Sequence, residues 1–175
     1  RADFYDAGDL EPPRRYIPVG LAADLLAEDE NVTREAMDAA TERSQWLAAM
    51  AETNAVLNAS RIALAGLDRE EAVRPTTLDK LAAMPPAFGE WGREYAEALQ
   101  RKPVHSHTVA HAPPMVDGAA LALLSNDRTQ ARARIVAFAE TGGDPRASLT
   151  AGYTAMDKAL DRAGLTLADM DRIEF

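Results

Sequence analysis

The chain contains no cysteine among its 175 residues. A disulfide framework and a cysteine nucleophile are therefore excluded within this stretch. No apolar run approaches the ~18 residues that a membrane-spanning helix requires, and no signal peptide opens the sequence. These absences predict a soluble, cytoplasmic protein.

Positive charge is also scarce. The chain has 19 Lys and Arg residues against 28 Asp and Glu residues, which gives a net charge of −9. Phosphate backbones and anionic lipid surfaces both bind basic surfaces, so the negative charge argues against nucleic acid and anionic membrane surfaces as partners. Apolar residues make up 47% of the chain. That share suffices for a packed core in a chain of roughly one domain.

Two short apolar runs, residues 119–124 and 135–139, flank a polar spacer. Asp117 and Gly118 form a turn signal before the first run, and residues 142–145 stop the second. Runs this short, without alternation, are typical of strands buried on both faces. The sequence therefore predicts two buried strands, and a third that begins at residues 172–175.

Helical patterns precede these runs. Residues 21–27 predict a short helix, and Thr33 is the expected N-cap of the next. That second helix either continues into residues 51–69, with Gly66 as its expected end, or breaks near residues 58–60. Apolar and small residues of this second helix recur at roughly helical spacing: Met37, Ala40, Ser44, Leu47, Ala48 and Met50. Its charged residues are interpreted as a solvated face opposite that packed one. Thr77 is expected to cap a further short helix that ends at residues 85–86.

Two more helices are predicted. Residues 89–102 carry Trp91, Tyr95 and Leu99 at intervals of four, which indicates a packing stripe. Residues 148–164 form the second, capped by Ser148 and ended by Gly164. Its expected apolar stripe comprises Leu149, Tyr153, Met156, Ala159 and Leu160.

All three histidines lie between residues 104 and 111. His105 and His107 would share one face of a strand, and histidine is a common zinc ligand. No neighbouring carboxylate or cysteine is evident in the sequence to complete four ligands. The sequence therefore predicts no metal site.

The order of several motifs resembles the thiolase (acetyl-CoA acetyltransferase) family. These motifs are TREAMDAATERS, RPTTLDKLAAMPPAF, DGAALALLS, RIVAFAETGGDP and KALDRAGLTLADMDRIEF. The resemblance implies a thiolase-like α/β fold fragment from the middle of a longer protein. A mostly helical loop domain would cover residues 1–108 and the end of the first core domain 109–128. The first strand, helix and strand of the second core domain would then occupy 129–175.

The same resemblance implies coenzyme A contacts at five positions. Val19 would lie beside the thioester-bearing arm, Arg74 near the nucleotide and Phe88 along the pantetheine tunnel. His111 stands where the family has an Asn. Pro113 stands where a Ser hydrogen-bonds the pantetheine amide. The alternatives are that Val19 and Phe88 are core residues and that Arg74 is an ordinary surface charge.

Two stretches depart from the family pattern. Residues 89–102 look like an insertion. Residues 51–69 lack the β-rich segment that thiolases use in tetramer assembly, although the resemblance still implies a homo-oligomer, at least a dimer.

The family's catalytic residues fall outside this chain. Thiolases use two cysteines, a histidine and an asparagine, so no catalytic residue is assigned here. The parent protein is expected to form or cleave C–C bonds between acyl-CoA units in fatty-acid or sterol metabolism. Coenzyme A thioesters would be substrates, no cofactor would be covalently bound, and the remainder of the thiolase chain would be a partner. The alternative is a non-catalytic thiolase-like scaffold or lipid-binding protein.

Overall fold

A computed structural model describes residues 17–144 and 149–174. The chain divides into two compact units. One unit is Pro18–Met115, and the described part of the other comprises Ile17, 116–144 and 149–174.

Six helices form the framework of the Pro18–Met115 unit. They are α1 (Val19–Asp29), α2 (Arg34–Glu52), α3 (Ala55–Asn58), α4 (Leu78–Ala82), α5 (Gly89–Glu94) and α6 (Ala96–Leu99). Helix α1 supplies most of the core, through Leu21, Ala22, Leu25 and Ala27. Leu21 and Ala22 lie four and three residues before Leu25, which is helical spacing, so these side chains share one buried face of α1.

Two helix starts predicted from the sequence are confirmed. The Thr33 side chain accepts a hydrogen bond from the Ala36 amide at 3.2 Å, so α2 begins at Arg34. The Thr77 side chain accepts one from the Lys80 amide at 3.4 Å, at the start of α4. Each threonine satisfies a backbone N–H that has no partner within its own helix.

The predicted orientation of α2 is wrong. Its one fully buried residue is Asp38, whereas Trp46, Leu47 and Met50 are 59%, 45% and 55% exposed. Tertiary hydrogen bonds explain the inversion, because polar side chains of α2 bind segments far along the chain. Glu42 accepts from the Leu78 amide at 3.1 Å. Three polar residues of α2, Arg34, Asp38 and Glu42, therefore pack inward, while Glu35 and Arg43 remain exposed.

Two predicted helix lengths are also wrong. Helix α2 ends at Glu52, and Asn54 starts α3 by accepting hydrogen bonds from two backbone amides. Gly66 instead has φ of 84° in a tight turn, which suits glycine because it has no Cβ. Residues 89–102 form two short helices, since α5 stops at Glu94 and Gln100 is left-handed after α6.

The second unit contains α7 (Ala151–Ala163) and a short 3₁₀ helix, Leu167–Asp169. The predicted end of α7 is confirmed, because Gly164 adopts φ of 66° there. Arg162 donates to the Phe138 carbonyl at 2.7 Å, which ties α7 to the segment before it. The predicted cap Ser148 lies outside the described residues.

The predicted strands are absent from the described residues. Residues 119–124, 135–139 and 172–174 have no strand structure, and Phe175 lies outside the described part. Leu121 and Leu123 are 98% and 92% exposed rather than buried. A strand needs a hydrogen-bonded neighbour, and no paired strand lies beside these runs among the described residues.

Candidate functional site

Asp24 on α1 binds residues 104–111, which contain the three histidines and are called the histidine segment below. Its side chain is fully buried. Oδ1 accepts from the backbone amides of Ser106 and His107 at 3.1 and 2.9 Å. The Nδ1 atoms of His105 and His107 lie 2.8 and 2.9 Å from Oδ2 and Oδ1. One carboxylate therefore satisfies four hydrogen-bond donors.

The electrostatics favour an ionised Asp24. Burial raises the pKa of this carboxyl, but hydrogen bonds from His107, His105 and the Ser106 amide outweigh that effect and lower it. Since an ionised carboxylate can only accept, each imidazole Nδ1 must carry the proton.

Asp38 on α2 forms a second carboxylate–histidine pair. The His111 Nδ1 lies 3.0 Å from the Thr108 amide, which can only donate to it. The proton is therefore on Nε2, which donates to Asp38 Oδ1 at 2.7 Å. Burial raises the Asp38 pKa, but hydrogen bonds from Arg34 and His111 outweigh it and lower the pKa.

Arg34 connects this pair to the surrounding backbone. Its Nε donates to Asp38 Oδ1 at 2.9 Å. Its two terminal nitrogens donate to three carbonyls: Leu81 at 2.5 Å, Met84 at 3.1 Å and Ser106 at 3.3 Å. One guanidinium thus joins α2, the end of α4 and the histidine segment.

The expectation that no carboxylate lies near the histidines is wrong. Two carboxylates do lie beside the histidines, although neither is near them in the sequence. Within residues 17–144 and 149–174, however, no group of three or more His, Cys, Asp or Glu side chains could hold a metal ion. The sequence did contain one indication of these carboxylate–histidine pairs. Asp24 lies within the apolar face of a predicted helix, and a buried carboxylate requires hydrogen-bonding partners.

Phe88 packs against the start of α1. A Cβ built on Gly20 would lie 2.7 Å from the Phe88 ring, so only glycine allows this approach. The Trp91 ring stacks on Phe88 with centroids 5.4 Å apart and planes inclined by 4°. Val19, next to Gly20, is 53% exposed. We call Val19, Phe88 and Trp91 the apolar wall.

The five positions predicted to contact coenzyme A fall into three settings. Val19 and Phe88 lie in the apolar wall. His111 is bonded at both ring nitrogens. Arg74 and Pro113 are exposed elsewhere on the same unit, where the Arg74 amide donates to the Gln45 side chain at 2.9 Å.

A cavity of about 550 Å³ lies between the α1–α2 turn and the histidine segment. Its lining comprises Ala27, Glu28, Asn31, Val32, Thr33, Arg34, Val104, His105 and Ser106. None of the five predicted residues lines it. Its charged groups are already paired, since Glu28 binds Arg101 at 2.8 Å and Arg34 binds Asp38.

Comparison with known proteins finds relatives that include a thiolase. A 3-ketoacyl-CoA thiolase of Pectobacterium carotovorum is 32% identical over 89% of this chain and 41% of its own length. An acetyl-CoA acetyltransferase of Rhizobium meliloti is 31% identical over 89% of this chain and 40% of its own. The trifunctional enzyme subunit beta of Bos taurus mitochondria is 30% identical over 90% and 33%. The chain thus spans about two fifths or less of these relatives.

No protein-family model matches the chain. Among the described residues, none of the helices has the length and apolar content needed to cross a bilayer. The resemblance to thiolases predicted from the sequence motifs is confirmed.

Proposed function

We propose that this chain, which is similar to thiolases along nine-tenths of its length, is the central part of a thiolase-type acyltransferase. It supplies acyl-CoA-binding surface, and the catalytic cysteine and histidine belong to the rest of that polypeptide. The observation that carries this proposal is the similarity to a 3-ketoacyl-CoA thiolase and an acetyl-CoA acetyltransferase. It is supported by apolar side chains at two of the expected positions, the exposed Val19 and the half-buried Phe88.

The apolar wall suits the pantetheine arm of coenzyme A. Val19 is half exposed at the start of α1, and the half-buried Phe88 ring lies against Gly20, the next residue of α1. Apolar and aromatic walls are the usual lining of small-molecule sites. Arg74 is exposed and its guanidinium suits the nucleotide phosphates.

His111 and Pro113 shape this surface in the proposal. His111 already uses both ring nitrogens on Thr108 and Asp38, so it fixes the course of the chain that leads to Pro113. The standard Ser hydroxyl is replaced by an exposed proline, which cannot bond the pantetheine amide through its side chain. Substrate preference would therefore differ from that of thiolases with the Ser.

The remaining thiolase polypeptide is the first partner. The exposed apolar runs 119–124 and 135–139 would become buried strands when neighbouring strands pair with them. In this proposal the division at residues 1–108, 109–128 and 129–175 describes the loop domain and the two core domains. The parent enzyme is a cytoplasmic homo-oligomer, at least dimeric, acting in fatty-acid or sterol metabolism.

A second candidate is a non-catalytic thiolase-like scaffold or lipid-binding protein. The observation that favours it is the pair of replacements, His111 for Asn and Pro113 for Ser, at positions implied by the resemblance. This candidate retains the wall but predicts binding of free fatty acid rather than coenzyme A thioesters.

Isothermal titration of the 175-residue chain with acetyl-CoA tests the proposal. We expect saturable binding, no thiolysis of acetoacetyl-CoA, and about tenfold weaker binding in Arg74→Ala. The matched control is Arg69→Ala, another exposed arginine nearby. Circular dichroism confirms that each variant is folded. Binding of a fatty acid but not of acetyl-CoA would favour the scaffold instead.

A further inference from the structure

The two short helices α5 and α6 lie in the stretch that looks inserted relative to common thiolases. They dock onto the rest of the unit at two points. The Phe88 ring, directly before α5, covers Gly20 of α1. On α5, Gly92 lies against the His105 ring, which Asp24 holds from the other side. The position of Trp91 is therefore fixed by its neighbours.

Trp91 adds a further aromatic surface to this place. Parallel planes with centroids 5.4 Å apart mean that the Phe88 and Trp91 rings are offset rather than superimposed. An offset stack presents a wider flat surface than one ring. Trp91 is 39% exposed, so part of that surface is open to a ligand.

From this geometry, and resting on the proposed function, we propose that Trp91 is a specificity-determining residue that contacts the acyl group of an acyl-CoA. The inserted helices would place it beside Phe88 so that the apolar wall extends past the pantetheine arm. A longer acyl chain would then cover more of the indole ring and bind more tightly than an acetyl group.

The charge of α5 and α6 favours the acyl group, rather than the nucleotide of coenzyme A, as the ligand that contacts Trp91. Helices α5 and α6 carry Glu90, Glu94 and Glu97 against one basic residue, Arg93. Glu90 and Arg93 have side chains 93% and 76% exposed. An acidic surface repels the phosphates of coenzyme A, whereas it has little effect on an uncharged acyl chain.

The test uses the two tryptophans of the chain, Trp46 and Trp91. Trp46→Phe leaves Trp91 as the sole tryptophan, and Trp91→Phe leaves Trp46, which is 59% exposed on α2. Each variant is titrated with octanoyl-CoA, acetyl-CoA and free coenzyme A. We expect saturable change of Trp91 emission with octanoyl-CoA, and no change of Trp46 emission.

Affinities by isothermal titration complete the test. We expect the ratio of octanoyl-CoA to acetyl-CoA affinity to fall about tenfold in Trp91→Ala and to stay within twofold in Trp91→Phe and Trp46→Ala. Equal chain-length preference in Trp91→Ala and the unmodified chain would overturn the inference while leaving the proposed function intact. Failure of the folded chain to bind any of the three probes would overturn both.

Discussion

Asp24 and His105, 81 positions apart, are joined by a hydrogen bond of 2.8 Å between the carboxylate Oδ2 and the imidazole Nδ1. The same carboxylate accepts three further hydrogen bonds from Ser106 and His107. It thereby holds the last part of the Pro18–Met115 unit against its first helix.

Asp24→Asn should destabilise the Pro18–Met115 unit by about 2 kcal/mol, because the amide keeps one acceptor but turns a donor toward an imidazole N–H. Urea unfolding followed by tryptophan fluorescence measures the change, since Trp46 and Trp91 both lie in this unit. Asp29→Asn is the control. Its side chain is 57% exposed in an ion pair with Arg101, so a change of about 0.5 kcal/mol or less is expected.

Acid should remove the contribution of Asp24. Its folded-state pKa is below the ordinary 3.8, so the stabilisation is complete above that value and is lost as pH falls through the lowered pKa. The charged and titratable groups bonded to this carboxyl are His105 and His107. The difference in unfolding free energy between the unmodified chain and Asp24→Asn should narrow below about pH 4. A constant difference down to about pH 3 would contradict an ionised, hydrogen-bonded Asp24.

Arg34→Lys should cost about 2 kcal/mol of unfolding free energy, because an ammonium cannot reproduce the guanidinium's bonds to Asp38 and three carbonyls. The matched change Arg43→Lys, at an exposed position of the same helix, should be within about 0.5 kcal/mol of the unmodified chain. Equal effects at the two positions would show that the charge alone, and not the fork of donors, stabilises the unit.

Gly92→Ala should destabilise the fold by at least about 1 kcal/mol, because the added Cβ would overlap the His105 ring. Thermal unfolding by circular dichroism measures the change. Gly152→Ala on α7 is the matched control, since nothing lies within 4 Å of its Cβ. There we expect a gain of about 0.5 kcal/mol from improved helix propensity. Tolerance of alanine at residue 92 would mean that the ring can leave this position cheaply.

Local features were determined by the sequence alone. Thr33, Thr77 and Gly164 mark helix boundaries correctly because a cap depends on hydrogen bonds and backbone conformation within about four residues. The order of motifs also sufficed to identify the thiolase relationship, which the curated relatives confirm.

The buried face of α2 and the partners of the histidines were decided only by the tertiary structure. His107 and His111 meet Asp24 and Asp38 across 83 and 73 positions of chain, and no local pattern encodes such pairs. The predicted strands are absent from the described residues for a related reason. A strand forms only beside a hydrogen-bonded neighbour, which a local sequence pattern does not specify. Apolar character at residues 119–124 and 135–139 is local, whereas burial requires another part of a protein to cover them.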